Sequence, residues 1–273
     1  NVCYNSLPEY IASLTQATVT PWPPYQRIGV KVDGDYRQLN ANVLQIENEY
    51  YTSMRPKQPP QGNEKPTVGL RRRGVAYVEL RSVDINPLEP LGVNETQLRF
   101  LETFLLFCLL NESPPFDVEE RAMIDDNQMA VALTGRDPAL VLRRRRDPAL
   151  PLRRWADEIF GLLQPICALL DMGEARQPYA TALAEQHETL AEPERTPSAR
   201  IVAAMRASGE NFFRYARRWS EQHRHHFESR PLAEERIRVF TEAAERSLRE
   251  QAAIEAADDV SFDEFLVRYF AQS

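Results

Sequence analysis

The sequence predicts an α+β protein, with a partial antiparallel sheet in residues 1–92 and a mainly helical part in residues 93–273. Three observations carry that reading. Polar and apolar residues alternate with period two around Asp33-Gly34 and again over 75–87, as strands with two different faces require. Beyond Asn94 the alternation gives way to apolar residues three and four apart, the repeat of one helix face. Prolines at 151, 178, 193, 197 and 231 then divide the second part into segments of helix length.

Residues 28–39 read as a tight hairpin, because Asp33-Gly34 accepts the positive φ angles of a two-residue turn. Residues 43–51 read as a strand, with Leu44, Ile46, Asn48 and Tyr50 on one side and Val43, Gln45, Glu47, Glu49 and Tyr51 on the other. Residues 56–69, rich in Pro, Gln and Gly, read as a mobile loop. A buried strand over 75–87 follows. Asn94 with Gln97 makes a capping-box pattern ahead of Leu98, Leu101, Leu105 and Leu109. Cys108, inside the apolar stretch 104–110, is assigned to the core. Further helices are predicted at about 153–171, 175–191, 198–225, 231–257 and 261–271. The echo of Arg136-Asp137-Pro138-Ala139-Leu140 in Arg146-Asp147-Pro148-Ala149-Leu150 is too short to be a structural repeat.

A net charge of −7 argues against nucleic-acid or anionic-membrane partners, which need a basic footprint. No apolar run reaches the ~18–20 residues that span a bilayer. The three cysteines are widely spaced and indicate neither a disulfide framework nor a zinc motif, which points to a reducing cytoplasm. A first residue of Asn1 rather than methionine leads us to expect further sequence upstream. His223, His225 and His226 cannot all share one helical face and read as a solvated helix end. The arginines at 143–146 read as an exposed loop, and residues 234–259 as a surface helix laced with ion pairs.

The chemistry lies on the strand over 75–87. Ala76, Val78 and Leu80 share its apolar face, while Tyr77, Glu79 and Arg81 share the other. Burying bare charge costs several kcal/mol (order of magnitude), so the charged pair must be matched, solvated in a cleft or engaged with a ligand. A carboxylate suits a hard cation such as Mg²⁺, and a guanidinium fork matches phosphate oxygens. Two residues apart, the pair is separated by roughly 6.5–7 Å along the strand, enough for one to hold a metal and the other a phosphate. A structural ion pair on a sheet face is the competing reading. Arg55 and Lys57 read as loop-positioning residues or phosphate contacts, and Arg71-Arg72-Arg73-Gly74 as a solvated turn or a nucleotide contact. Glu47 and Glu49 read as further metal-side groups or as solvated carboxylates.

The stretches that carry a family likeness are Asn42-Val43-Leu44-Gln45-Ile46-Glu47-Asn48-Glu49 with Tyr51, Arg55-Pro56-Lys57, and Tyr77-Val78-Glu79-Leu80-Arg81-Ser82-Val83-Asp84-Ile85-Asn86-Pro87. They resemble the carboxyl-terminal half of bacterial glutamate–cysteine ligases, with weaker similarity elsewhere, including Ser198-Ala199-Arg200-Ile201. The resemblance implies a glutamine-synthetase-like ligase fold. It also implies ATP-dependent joining of the L-glutamate γ-carboxylate to L-cysteine through a γ-glutamyl phosphate, with Mg²⁺ or Mn²⁺ as cofactor. On the same basis Glu79 and Arg81 are the catalytic pair, Glu79 as metal ligand and Arg81 as contact to the transferred γ-phosphoryl group. Tyr51 would line the cysteine pocket, its alternative being a strand aromatic, and Arg73 would lie beside ATP.

The family uses several acidic metal ligands, most of them from its amino-terminal half. The resemblance therefore implies that this chain needs that half as a partner and is inactive alone. The alternative is a non-catalytic helical binding or regulatory module of the same descent. Retention of Glu79, Arg81 and Tyr51 counts against that alternative.

Overall fold

The computed structural model describes residues 2–145 and 147–272, and leaves the Asp147 side chain undescribed. In chain order the first elements are α1 (Leu7–Val19), α2 (Pro23–Ile28), β1 (Lys31–Val32), β2 (Asp35–Tyr36), β3 (Met54–Lys57), α3 (Pro66–Arg73) and β4 (Tyr77–Leu80). There follow α4 (Glu95–Leu110), α5 (Val118–Thr134), β5 (Val141–Arg144), β6 (Asp147–Pro151), α6 (Leu152–Leu170) and α7 (Pro178–Ala191). The chain closes with α8 (Pro197–Ser208), α9 (Phe212–Glu228), α10 (Glu234–Ala256) and α11 (Phe262–Phe270). The strands form three antiparallel two-stranded ribbons, β1–β2, β3–β4 and β5–β6. The α+β class is thus as the sequence predicts, with the sheet in smaller pieces.

Two compact units divide the chain, Asn1–Asp84 with Leu232–Ser273, and Ile85–Pro231. The change of periodicity near residue 92 is a feature of composition, whereas the units follow contacts. Helix α11 joins the first unit through specific ties. Lys31 Nζ donates to both Asp263 carboxylate oxygens at 3.1 Å. Lys65 Nζ donates to the Phe270 and Gln272 carbonyls at 3.2 and 3.1 Å, a cation placed where the carbonyl end of a helix is negative.

The core of the first unit is Val2, Tyr10, Ile11, Leu14 and Leu70, with Tyr4, Leu7, Leu44 and Tyr50 packed against it. Helix α1, unforeseen in the sequence, starts at Ser6, whose hydroxyl accepts the Glu9 N–H at 3.3 Å. The predicted turn is present, with Asp33 at φ 54° and Gly34 at φ 91°. Its strands keep only two residues each, with the Arg37 N–H donating to the Val30 carbonyl at 2.9 Å just beyond them. Gln38 Nε2 donates to the carbonyls of Tyr25 and Gly29 at 2.6 and 3.1 Å.

Residues 43–51 are not a strand. The Gln45 N–H donates to Glu49 Oε2 at 2.6 Å, the Gln45 carbonyl accepts from Asn40 Nδ2 at 2.7 Å, and Glu47–Glu49 turn once as a 3₁₀ helix. Local side-chain bonds have won over extended pairing. Nor are residues 56–69 a loop throughout, since β3 ends at Lys57 and α3 begins at Pro66. Proline fits a first helical position, where no N–H partner is needed. The Glu47 carboxylate supplies the cap, accepting from the Thr67 N–H at 2.8 Å and the Thr67 hydroxyl at 2.5 Å.

In the second unit α4 starts on the predicted capping box, with Asn94 Oδ1 accepting the Gln97 N–H at 2.9 Å. Its buried face differs from the leucine stripe. Phe100, Phe104 and Phe107 pack against Leu163, Cys167 and Leu183 of α6 and α7, while Leu98, Leu109 and Cys108 are exposed. The segment 198–225 is two helices, α8 and α9, broken where Gly209 takes φ 66° and Asn211 caps the second by accepting the Arg214 N–H at 3.0 Å.

Arg143–Arg145 belong to the β5–β6 hairpin rather than to a free loop, with Arg146 outside the described residues. Their guanidiniums pair with Asp126, with Glu158 at 2.7 Å, and with Glu120 and Asp117 at 2.9 and 2.8 Å. The acidic faces of α5 and α6 therefore hold this basic run. His223 is partly buried rather than solvated, its Nε2 lying 2.7 Å from the Pro87 carbonyl and its ring beside Trp219.

Candidate active site

The ribbon β3–β4 positions the predicted site. Its register opposes Met54 to Leu80, Arg55 to Glu79, Pro56 to Val78 and Lys57 to Tyr77. Alternation then places Arg55, Lys57, Tyr77 and Glu79 on one face and Met54, Pro56, Val78 and Leu80 on the other. Beyond the last pair, the Arg81 N–H donates to the Ser53 carbonyl at 2.8 Å, which continues the charged face to Arg81.

The strand is not buried as expected. Val78 is 46% exposed and Tyr77 53%, and β4 pairs with β3 alone. Glu79 and Arg81 do meet. Arg81 Nη1 and Lys57 Nζ each lie 3.5 Å from Glu79 Oε2, and all three side chains are about two-thirds buried. Both distances exceed the ~2.7–2.9 Å of a charge-assisted hydrogen bond. Oε2, shielded from solvent, accepts no hydrogen bond. Burial is the largest influence on the Glu79 carboxyl and pushes it up. The charges of Lys57 and Arg81, the close approach of the Lys57 ammonium and the charge of Arg55 together outweigh that and hold it below the usual carboxylate range.

Tyr51 stands over this group, its ring centroid 4.8 Å from the Arg81 guanidinium carbon and its side chain 71% exposed. The contact is a cation–π pair. Arg55 is 8% exposed, yet its Nε has no partner and its Nη1 only a long 3.4 Å bond to the Asn48 carbonyl. Arg73 is not brought to this group. Its guanidinium grips the Glu64 carboxylate and donates to the Pro59 carbonyl at 3.1 Å. Glu47 and Glu49 are likewise engaged locally, as the α3 cap and as acceptor of the Gln45 N–H. Lys57 and Arg55 are the members whose place sequence reading left open. The signal for them was present: two cations spaced by two at the start of a segment able to pair with the Glu79 strand.

A carboxylate kept ionised and free of hydrogen-bond donors at one oxygen can serve as one ligand of a hard divalent cation. Glu79 passes that test as a single ligand. Among the described residues no cluster of three or more His, Cys, Asp or Glu is placed to hold a metal.

The comparisons with known proteins bear on this geometry directly. The family model for glutamate-cysteine ligase matches residues 1–131, which include every residue of the cluster. Glutamate–cysteine ligases of Pseudomonas paraeruginosa and Azotobacter vinelandii are each 45% identical over 269 residues, 98% of this chain and 51% of the relative. Over nearly its whole length the chain is similar to glutamate–cysteine ligases. It spans about half the length of the curated ligases it matches. A solved structure of glutamate–cysteine ligase from Francisella tularensis in complex with AMP shares the fold with a TM-score of 0.89 at 30% identity. That match covers 98% of this chain and 53% of the Francisella ligase. The fold expected from the ligase resemblance is therefore the one observed.

Proposed function

We propose that this chain supplies the phosphoryl-handling ribbon of an ATP-dependent ligase. That ligase joins the γ-carboxylate of L-glutamate to L-cysteine through a γ-glutamyl phosphate, the first step of glutathione biosynthesis, in the cytoplasm. The observation that carries this is the convergence of Arg81, Glu79 and Tyr51 on one face of β3–β4. The named relatives and the nucleotide complex of the Francisella ligase support it.

Phosphoryl transfer is catalysed mainly by positioning and by neutralising charge on the moving group. In this reading the Arg81 fork donates to oxygens of the transferred phosphoryl group while Tyr51 keeps the guanidinium plane fixed by stacking. The Tyr51 hydroxyl, well exposed, donates to the cysteine carboxylate as a neutral partner. Glu79 would give one oxygen ligand to Mg²⁺ or Mn²⁺, and the remaining ligands would come from the part of the ligase that this chain does not contain. A bound divalent cation would supply further charge neutralisation on the phosphates. Arg73 contacts the nucleotide by exchanging Glu64 for a phosphate oxygen, both being anionic acceptors for the same fork. In this reading the chain alone is inactive, since among the described residues no cluster of three or more His, Cys, Asp or Glu is placed to hold a metal.

A chimera tests this, with the present chain replacing the matched half of the Pseudomonas paraeruginosa ligase. ADP release dependent on both glutamate and cysteine is the expected result, with none from the 273 residues alone. A folded chimera without that release, or substrate-dependent turnover by the chain alone, would overturn the reading.

A further inference from the structure

The charged face of β3–β4 is unbalanced. Lys57 and Arg81 both approach Glu79 Oε2 at 3.5 Å. Arg55, opposite Glu79 in the register, makes no ion pair among the described residues and is nine-tenths buried with its Nε unpartnered. Three cations thus surround one carboxylate and leave two positive charges in excess. An uncompensated buried guanidinium is costly, and such a charge is retained where an anion completes it. Neither contact to Glu79 has the length of a tight charge-assisted hydrogen bond, so no such bond has to break when the lysine leaves the carboxylate. A flexible ammonium with three donors suits an exchange of partners better than a planar fork does.

We propose that Lys57 is a further phosphate-binding residue of this site: it leaves the Glu79 carboxylate to donate to an oxygen of a polyphosphate, over the fixed positive charges of Arg55 and Arg81. The inference deepens the ligase reading and rests on it for the identity of the natural ligand, a nucleoside triphosphate. It assigns Lys57 a ligand contact beyond that of Arg81. Glu79 has the opposite role in the absence of metal, competing with the anion for Lys57.

The two roles give opposite signs in one experiment. The 273-residue chain is titrated with inorganic triphosphate in metal-free buffer at low salt, followed by calorimetry and by backbone amide shifts of β3 and β4. Lys57→Met is expected to weaken binding about tenfold, and Lys57→Arg to keep most of it. Glu79→Gln is expected to tighten it several-fold, because the competing anion is gone. Arg246→Met, on the exposed face of α10, is expected to leave it unchanged. Melting curves confirm that each variant folds.

Three results overturn the proposal: no binding by the unmodified chain, unchanged binding in Lys57→Met, or an equal loss in Arg246→Met, which would mean diffuse attraction only. The ligase reading fails separately. An inactive chimera with the Lys57 and Glu79 signature intact would leave the phosphate site standing, and an active chimera without that signature would remove Lys57 alone.

Discussion

Arg55 and Glu79 are directly opposed across β3–β4, yet the cations nearest the carboxylate are Lys57 and Arg81, each one step along its strand. The direct partner is buried with its Nε unpartnered, and the diagonal and same-strand neighbours lie 3.5 Å from the acid. That arrangement concentrates positive charge where a transferring phosphoryl group would gain most from it.

Arg81→Ala in the chimera should lower turnover by roughly 10²–10³, the usual cost of removing one donor to developing charge. Its melting temperature should move by no more than ~2 °C, since Arg81 is at the open end of a ribbon and outside both hydrophobic cores. Near-native turnover would dismiss the catalytic assignment.

Tyr51→Phe keeps the ring over Arg81 and removes only the hydroxyl. It should raise the KM for cysteine by about tenfold, the worth of one hydrogen bond to a charged group, and leave the KM for ATP alone. An effect on ATP with none on cysteine would move Tyr51 to the nucleotide side.

Glu47 is a structural carboxylate. Truncation in Glu47→Ala strands the Thr67 N–H and hydroxyl at the start of α3 and should cost about 2–4 kcal/mol by chemical denaturation. A loss under 1 kcal/mol would show that water replaces the cap.

Alkaline titration should weaken the first unit between about pH 10 and pH 12, a loss that tyrosines with unshifted pKa values would not cause. Burial, reinforced by Tyr50, pushes the Tyr10 hydroxyl up to about 12. The folded pKa lies above the unfolded value of about 10, so this contribution is whole below pH 10. It is lost as pH rises through 12. Tyr10→Phe should flatten the stability profile over that window, measured as urea midpoint against pH.

Leu163→Ala, at a site with no solvent exposure between α4, α6 and α7, should cost about 2–5 kcal/mol through lost burial and the cavity left behind. Thermal unfolding followed by circular dichroism measures it directly.

The sequence by itself determined what is local. Asp33-Gly34 specified a turn that few other pairs can make, and Asn94 with Gln97 specified a helix start, because each motif satisfies its own backbone groups. It determined Glu79 of β4 and Arg81 just beyond it as a charged pair on one face, since alternation along a strand needs no partner to be legible. Tertiary structure decided the rest. Glu47, read as a strand carboxylate, became a cap because Thr67, twenty positions on, offered unpaired donors at a helix start. The phenylalanines of α4 face inward because α6 and α7 pack against that side, whereas Leu98 and Leu109 are left exposed. Arg55 and Lys57 joined the site only when β3 paired with β4, for the register between distant strands is set by packing and cannot be read along either one.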